Sequence, residues 1–324
     1  MRPPFLSCGA FILLVFCVQP YNDRGMKNFT HFFVRKGLKS FFPAHSEQFH
    51  SEASAPYGVV GKTVVPVVLA SPHSGRCYSE AFVSNSRQPL SVLRRGEDSY
   101  VEELAAEAQA CGPALLHALF PRVFCDANRA AWDMDPRMFD GPVPAFVKPS
   151  ERAFSGLGSV PRIAAGNCNI YRKAIPFEEA ARRIQTCWLP YHHALYQLLG
   201  QAHTRFGIVL LLDLHSMPDA PDAGSPDFVL GDCHGRSCAA RFTDCAEHEL
   251  RQVGFRVSRN KPYAGGYITQ HYGRPQNGFH ALQIEMRRSL YMKEATYEKT
   301  ENFSELSSAL RSLTEVLIKE SLSS

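Results

Sequence analysis

The sequence lacks several patterns that would mark other classes of protein. Its 10 cysteines form no Cys-x-x-Cys pair, which argues against a structural zinc ribbon and favours reduced thiols over a disulfide framework. No glycine-rich loop follows a predicted strand, so the sequence does not indicate a nucleotide-binding site. The 35 basic and 31 acidic residues give a formal net charge of only +4 and form no dense basic stripe, so we expect no nucleic-acid partner.

The sequence also has no apolar run long enough for a comfortable membrane span, which needs about 20 residues. The candidate run covers only residues 5–18, and Arg2 precedes it. This pattern is typical of a signal peptide, although a translation start at Met26 would remove it. We therefore assign residues 1–61 to an N-terminal tail. We expect a cytoplasmic protein without a membrane partner, or an exported protein if residues 1–20 act as a signal peptide.

Beyond this tail, buried strands alternate with amphipathic helices. A continuous apolar run at residues 64–70 predicts a strand that is buried on both faces, and residues 208–214 form the clearest buried strand. Further strands are predicted over 114–124, 228–231 and 280–286, and helices over 98–110, 176–207, 237–253 and 304–318. Pro190 should kink or split the second of these helices. The alternation predicts one α/β domain over residues 62–324, with helices on both faces of a mostly parallel or mixed central sheet.

Two histidines directly follow buried strands, His73 in Ser-Pro-His-Ser-Gly and His215 in Leu-Asp-Leu-His-Ser-Met-Pro. Side chains at the carboxyl ends of neighbouring parallel strands can converge on one point. Because imidazole is the commonest metal ligand, the pair predicts a metal site, although either histidine alone would more often be structural. A catalytic zinc takes three protein ligands. Asp98 and its neighbour Glu97 are the candidates for the third ligand, and Asp98 suits a helix N-cap equally well.

A glutamate, Glu285, stands inside the last predicted strand, in Gln-Ile-Glu-Met-Arg-Arg. Strand periodicity places it on the face opposite Ile284 and Met286. A buried carboxylate is costly unless it is paired or functional. The residue is therefore either an ion-pair partner of Arg287 or Arg288, or a general base that takes a proton from a metal-activated water.

Further polar groups accompany these candidates. Asp213 alternates with His215 along one strand, so the two side chains share a face and Asp213 is expected to support the histidine or to pack. Asn128 and Arg129 follow the second predicted strand, and Arg274 lies in His-Tyr-Gly-Arg-Pro. Either guanidinium has the planar fork that matches a carboxylate, and either also suits a surface salt bridge. A glycine-rich stretch at 265–269 allows close approach of a ligand or forms a plain turn.

In their order along the chain, these segments resemble the N-formylglutamate amidohydrolase family. The resemblance covers roughly residues 66–292, in the segments 71–75, 97–104, 125–129, 191–194, 212–218, 265–275 and 280–285. It implies an α/β architecture related to zinc carboxypeptidases and aspartoacylase-like hydrolases. It also implies hydrolysis of N-formyl-L-glutamate to formate and L-glutamate, a step of histidine breakdown.

Carried over by position, the resemblance implies a zinc ion bound by His73, Asp98 and His215. It implies that Glu285 is the base and later the acid that protonates the leaving amine. The partner is then a small N-acyl amino acid. The residues implied for binding this substrate are Asn128, Arg129, Tyr267 and Arg274.

Two features depart from the related patterns. Arg76 stands where a zinc carboxypeptidase has the glutamate of its His-x-x-Glu ligand pair, which keeps Glu97 open as the alternative to Asp98. A long loop over residues 133–169 is expected to shape the pocket. The alternative function is therefore a deacylase or carboxypeptidase-like hydrolase of another N-acyl amino acid or small peptide. A non-catalytic domain that binds an acidic metabolite is a third hypothesis, but binding alone requires no buried base.

Overall fold

The computed structural model describes residues 55–219 and 224–323. The signal-like segment and Met26 lie outside the described residues. From Pro56 onward the described residues form one compact unit. Within the described part of the chain, no helix combines the length and the apolar character needed to cross a membrane.

A seven-stranded mixed sheet forms the centre of the fold, in the order β1-β3-β2-β6-β9-β7-β8. Its strands are β1 (Tyr57–Val60), β2 (Val67–Ser71), β3 (Ala114–Ala118), β6 (Val209–Met217), β7 (Phe228–Gly231), β8 (Val257–Arg259) and β9 (Phe279–Arg287). Two small two-stranded sheets pair β4 (Ile163–Ala164) with β5 (Cys168–Asn169), and β10 (Met292–Lys293) with β11 (Glu298–Lys299). The central strands β3, β2, β6 and β9 are parallel, whereas β1 and β7 each join the sheet in antiparallel orientation.

Helices cover both faces of this sheet. They are α1 (Glu80–Asn85), α2 (Leu90–Leu93), α3 (Val101–Leu104), α4 (Ala106–Ala110), α5 (Glu151–Phe154), α6 (Phe177–Arg183), α7 (Leu189–Phe206), α8 (Ala240–Gln252), α9 (Tyr267–Tyr272) and α10 (Phe303–Leu322). Alternate residues of β2 point to opposite faces. Val67 and Leu69 belong to the apolar cluster that contains α8 and α10, and Val68 and Ala70 to the cluster that contains α7. The predicted α/β class, with a mixed sheet between two helical layers, is confirmed.

The strands differ from the predicted ones at several points, and β3 ends at Ala118 instead of continuing to residue 124. β1 lies inside the stretch assigned to the tail, which corrects the domain boundary at residue 61. It gives little sequence signal because it is an edge strand whose Val59 and Val60 are each 45% exposed. β6 continues past residue 214 because His215, Ser216 and Met217 go on pairing with β9. His215 therefore lies within a buried strand and not in the loop after it.

The long helical segment before β6, residues 177–206, changes its helix type just before Pro190. Helix α6 runs into a π-helical turn at Ile184–Trp188, and α7 starts at the next residue with Pro190 in its first turn. A proline in mid-helix removes a hydrogen bond and clashes with the preceding turn, and a π turn accommodates both effects. Gly207 ends α7 with a positive φ of 73°, as expected for a glycine that caps a helix. The predicted change at Pro190 is thus a π turn.

Candidate active site

Three buried side chains from three segments converge at the carboxyl ends of β2 and β6. His73 lies in the loop after β2, Asp98 in the loop before α3, and His215 in β6. The Asp98 Oδ2 atom lies 3.5 Å from His73 Nδ1 and 3.1 Å from His215 Nδ1. All three residues are at most 3% exposed, and their possible ligand atoms lie within 4.8 Å of one another. This group could hold a metal ion.

Each imidazole of this group meets a carboxylate on its other nitrogen. His73 Nε2 is 2.7 Å from Asp126 Oδ1, and His215 Nε2 is 3.1 Å from Asp213 Oδ1. At His73 the Asp126 carboxylate accepts from Nε2–H, and the Nδ1 atom faces Asp98. Arg122 Nη2 donates to the second oxygen of Asp126 at 3.0 Å. Burial raises the pKa of Asp126, but the charges of His73 and Arg122 outweigh it and hold that pKa well below its usual range.

Asp98, and not Glu97, faces the two histidines. The second carboxylate oxygen of Asp98 accepts hydrogen bonds from Arg288 Nη2 and Ser216 Oγ, both at 3.2 Å. Despite burial, hydrogen bonds with His215 and His73 hold the pKa of Asp98 well below its usual range. The carboxylate of Glu97 instead accepts from Arg94 Nε at 3.0 Å and from a neighbouring serine hydroxyl. Tertiary contacts thus distinguish the two adjacent carboxylates.

Glu285 lies beside this group on β9, where it is paired in register with His215 of β6. It is 7% exposed, and Gln283 Nε2 donates to its Oε1 atom at 2.8 Å. Burial, opposed by the positive charge of His215, raises the pKa of Glu285 to about 7. Its alternative partners Arg287 and Arg288 bond to Asp227 and Asp98 instead, so the ion-pair interpretation gains no support.

Asn128 contacts the site, and the charge of Asp126 acts on the neighbouring Arg129. Asn128 Nδ2 is 3.1 Å from His215 Nε2, and its Oδ1 accepts from the Ile268 amide at 2.7 Å. Both ends of the Asn128 side chain are therefore engaged inside the protein. Arg129 differs, because its Nε is buried without a hydrogen-bond partner among residues 55–219 and 224–323. Burial lowers the pKa of Arg129, with the charge of Asp126 acting against it.

The side chains of Tyr267 and Arg274 both contact other groups of the protein. The Tyr267 ring packs on Trp188, with ring centroids 6.0 Å apart, and stacks on His271. Arg274 bridges to Phe279, the first residue of β9, whereas Glu285 lies six residues further along that strand. Six extended residues span about 20 Å, so the backbone of Arg274 lies far from that of Glu285. Its guanidinium turns back along α9 and donates to the Gln270 carbonyl. The substrate-binding roles of Tyr267 and Arg274 stay predictions.

The sequence analysis did not identify Arg122 as a site residue. In the structure its side chain bonds to Asp126 and is 29% exposed. Its charge also acts on the pKa of Glu285. Arg122 lines a cavity of about 180 Å³ beside the site. The other lining residues are Gly96, Val123, Asp126, Leu157, Pro161, Ile163, Ala164 and Ala165. The long loop over 133–169 supplies most of the apolar wall of this cavity. Arg122 lay inside the strand predicted over 114–124, so its sequence position gave no signal for the site.

The chain is similar to known proteins over most of its length. A sequence model of the family described as N-formylglutamate amidohydrolase matches residues 65–292. The chain is 30% identical to N-formylglutamate deformylase of Pseudomonas putida, over 71% of this chain and 83% of that protein. The crystal structure of N-formylglutamate amidohydrolase from Ralstonia eutropha JMP134 is 37% identical, with a TM-score of 0.76 over 83% of this chain and 98% of that chain. A gene product of Agrobacterium tumefaciens, 18% identical with a TM-score of 0.57, shares the fold over 83% of this chain and 96% of that one.

The mixed α/β sheet and the buried glutamate beside a His-Asp-His group are those of a hydrolytic enzyme, an amidohydrolase. The family model covers well over half of the chain. The chain belongs to the N-formylglutamate amidohydrolase family.

Proposed function

We propose that this enzyme hydrolyses N-formyl-L-glutamate to formate and L-glutamate, with a zinc ion held by His73, Asp98 and His215. Two Pseudomonas relatives named N-formylglutamate deformylase support the substrate, and with it a role in histidine breakdown. The observation that carries the proposal is the carboxylate of Glu285. It is buried next to His215 and has its pKa raised to about 7, close to the value that suits a general base at neutral pH.

The donor set fits a zinc ion. His73 Nδ1 is buried and has no hydrogen-bond partner within the described ranges, as expected for a lone pair reserved for a ligand. Donor atoms around a tetrahedral zinc, at bonds of about 2.0–2.1 Å, lie about 3.3 Å apart. The two distances from Asp98 Oδ2, 3.5 and 3.1 Å, match this spacing. A bound zinc supplies a Lewis acid that polarises the formyl carbonyl and makes water more acidic.

Glu285 performs the proton transfers in this proposal. In its ionised form the Glu285 carboxylate accepts a proton from the attacking water. The same group then delivers that proton to the amine nitrogen of the departing glutamate. The Gln283 amide, 2.8 Å from Glu285 Oε1, orients the carboxylate for both transfers. Attack of water on the formyl carbon and cleavage of the C–N bond yield formate and the free amine.

Two guanidinium groups suit the substrate carboxylates. Arg129 carries a buried Nε that has no partner inside the described protein, and a substrate carboxylate would satisfy it. Arg122 is partly exposed at the cavity and keeps donors beyond the one that bonds to Asp126. Both lie next to Asp126, whose charge is already engaged by His73. An anionic amino acid such as N-formylglutamate would therefore be held beside the metal group.

The test combines metal analysis with formate release from N-formyl-L-glutamate by the purified full chain. We expect about one zinc per chain and formate release that a chelator abolishes and zinc restores. Iron, copper or nickel in place of zinc would correct the metal, since imidazole also suits those ions. Zinc without formate release would reject the substrate and keep the metal site.

A second substrate class follows from the cavity. Leu157, Pro161 and Ile163 of the long loop give it an apolar wall. Such a wall favours an N-acyl amino acid with more apolar surface than N-formylglutamate. A panel of N-formyl and N-acetyl amino acids decides between the two classes, because kcat/KM ranks them directly. A highest kcat/KM for an apolar N-acyl amino acid would replace N-formylglutamate as the substrate.

A further inference from the structure

The peptide carbonyls on both sides of Asn128 are held by side chains of one helical segment. Trp188 Nε1 donates to the Arg129 carbonyl, and His192 Nε2 lies at hydrogen-bond distance from the Ala127 carbonyl, each at 2.8 Å. Trp188 ends the π turn, and His192 lies in the first turn of α7. The two rings stack with centroids 3.8 Å apart. The backbone over residues 127–129 is therefore attached to this helix at two points.

The proton positions on His192 are determined by its neighbours. A carbonyl oxygen only accepts, so His192 Nε2 must carry the proton that is shared with Ala127. The other ring nitrogen, Nδ1, lies 2.9 Å from the Tyr272 hydroxyl, which can donate to it. Burial lowers the pKa of His192 to about 3, so the ring stays neutral at neutral pH. The hydrogen bond to Ala127 therefore persists at neutral pH.

This attachment sets the directions of Asn128 and Arg129. With both flanking carbonyls turned towards the helix, the Asn128 side chain reaches His215 Nε2 and the Ile268 amide on the other side. The Asn128 amide itself donates to Asp126 Oδ1 at 2.8 Å. The Arg129 side chain is attached to this restrained backbone, which limits the directions that its guanidinium can take. Trp188 and His192 do not belong to the group His73, Asp98 and His215 that could hold a metal ion.

We propose that Trp188 and His192 are positioning residues, a two-point clamp on the 127–129 backbone that aims Arg129 at a substrate carboxylate. The inference deepens the proposed function and rests on it for the task of Arg129. Loss of the clamp weakens substrate binding in the ground state and transition state alike. It therefore raises KM and leaves kcat nearly unchanged.

The chain offers a matched control, because it contains only two tryptophans. Trp132 packs against Phe146 and Phe177, and its buried Nε1 has no hydrogen-bond partner in the described ranges. Changing either tryptophan to phenylalanine removes the same N–H group and a similar apolar area. Only the Trp188→Phe variant loses a hydrogen bond.

The first experiment compares the kinetics of Trp188→Phe and Trp132→Phe with N-formyl-L-glutamate. We expect Trp188→Phe to raise KM about three- to tenfold, the equivalent of one hydrogen bond, and to change kcat by less than about twofold. Trp132→Phe should leave both constants within about twofold of the wild type. Equal effects of the two changes would mean that Trp188 acts by packing alone and would overturn the proposal.

A double-mutant cycle tests whether the clamp acts through Arg129. In an Arg129→Ala background, Trp188→Phe should raise KM by less than about twofold, because the group that it positions is gone. The same increase in both backgrounds would overturn the proposal. His192→Gln retains a donor near the Nε2 position and should keep a lower KM than His192→Phe. No difference between these two variants would exclude His192 from the clamp.

One measurement separates a failed clamp from a failed substrate assignment. Hydrogen–deuterium exchange of a peptide covering residues 125–131 reports on the clamp without any substrate. Faster exchange in Trp188→Phe than in Trp132→Phe supports the clamp even if N-formyl-L-glutamate is not hydrolysed. Equal exchange in the two variants overturns the clamp even if N-formyl-L-glutamate is hydrolysed.

Discussion

Glu285 and His215 are partners in the register of two neighbouring parallel strands, β9 and β6. The pairing continues without interruption over nine residues of each strand, which fixes the two side chains relative to each other. A carboxylate base and a candidate metal ligand therefore share one rigid frame, and no loop movement is needed to bring them together.

Removal of the base should separate metal binding from turnover. We expect Glu285→Gln to keep zinc but to lower kcat by about two to four orders of magnitude, because the amide accepts no proton from water. Zinc content by elemental analysis and formate release check the two parts. A turnover within about tenfold of the wild type would remove Glu285 from the mechanism.

The raised pKa of Glu285 predicts a pH-dependent cost to stability. Because its folded pKa of about 7 exceeds the ordinary 4.5, folding favours the protonated form. The protonated Glu285 therefore contributes its full stability to the folded state below pH 4.5, and this stability is lost as the pH rises through 7. The free energy of unfolding of metal-free Glu285→Gln, relative to that of metal-free wild type, should thus rise by about 1–3 kcal/mol when the pH is raised from 5 to 8. Denaturant unfolding at both pH values measures this gain, and a difference that does not change with pH would contradict the assigned shift.

The support of His73 by Asp126 predicts an effect on metal affinity. Asp126→Asn removes the charge that accepts from His73 Nε2 and should weaken zinc binding about 10–100-fold. Asp135→Asn is the control. Asp135 is likewise a buried carboxylate, but its partners are two arginines, Arg137 and Arg162, and not a candidate metal ligand. Zinc competition with a chromophoric chelator gives both affinities. Equal losses in the two variants would indicate a general structural effect.

Much of the fold was predictable from the sequence because buried parallel strands are continuous apolar runs. β2 and β6 were located in this way, whereas the exposed edge strand β1 has no such run. The convergence of His73 and His215 followed from strand ends. Local sequence could not distinguish Asp98 from Glu97, because the contact of Asp98 with Arg288 spans 190 positions.

The arginines show the same limit. A guanidinium suits a carboxylate wherever it stands, so the sequence offered Arg274 and Arg129 on equal terms. Only the bridge of Arg274 to Phe279 reveals that the backbone of Arg274 lies at the start of β9, six residues before Glu285. Arg122 was missed because its importance comes from Asp126 and the cavity, which are properties of the assembled fold.

Substitution of these two arginines tests the assignment of substrate contacts. Arg122→Ala should raise KM for N-formyl-L-glutamate about 10–100-fold, as expected for a lost hydrogen bond to a charged group. Arg122→Lys should recover part of that loss, since lysine keeps the charge but lacks the planar fork. Arg274→Ala should change KM by less than about twofold, because its guanidinium bonds to the carbonyls of Gln270 and Gly273. Steady-state formate release gives all three values. A KM increase in Arg274→Ala as large as that in Arg122→Ala would show that the Arg274 guanidinium contacts the substrate despite the position of its backbone at the start of β9.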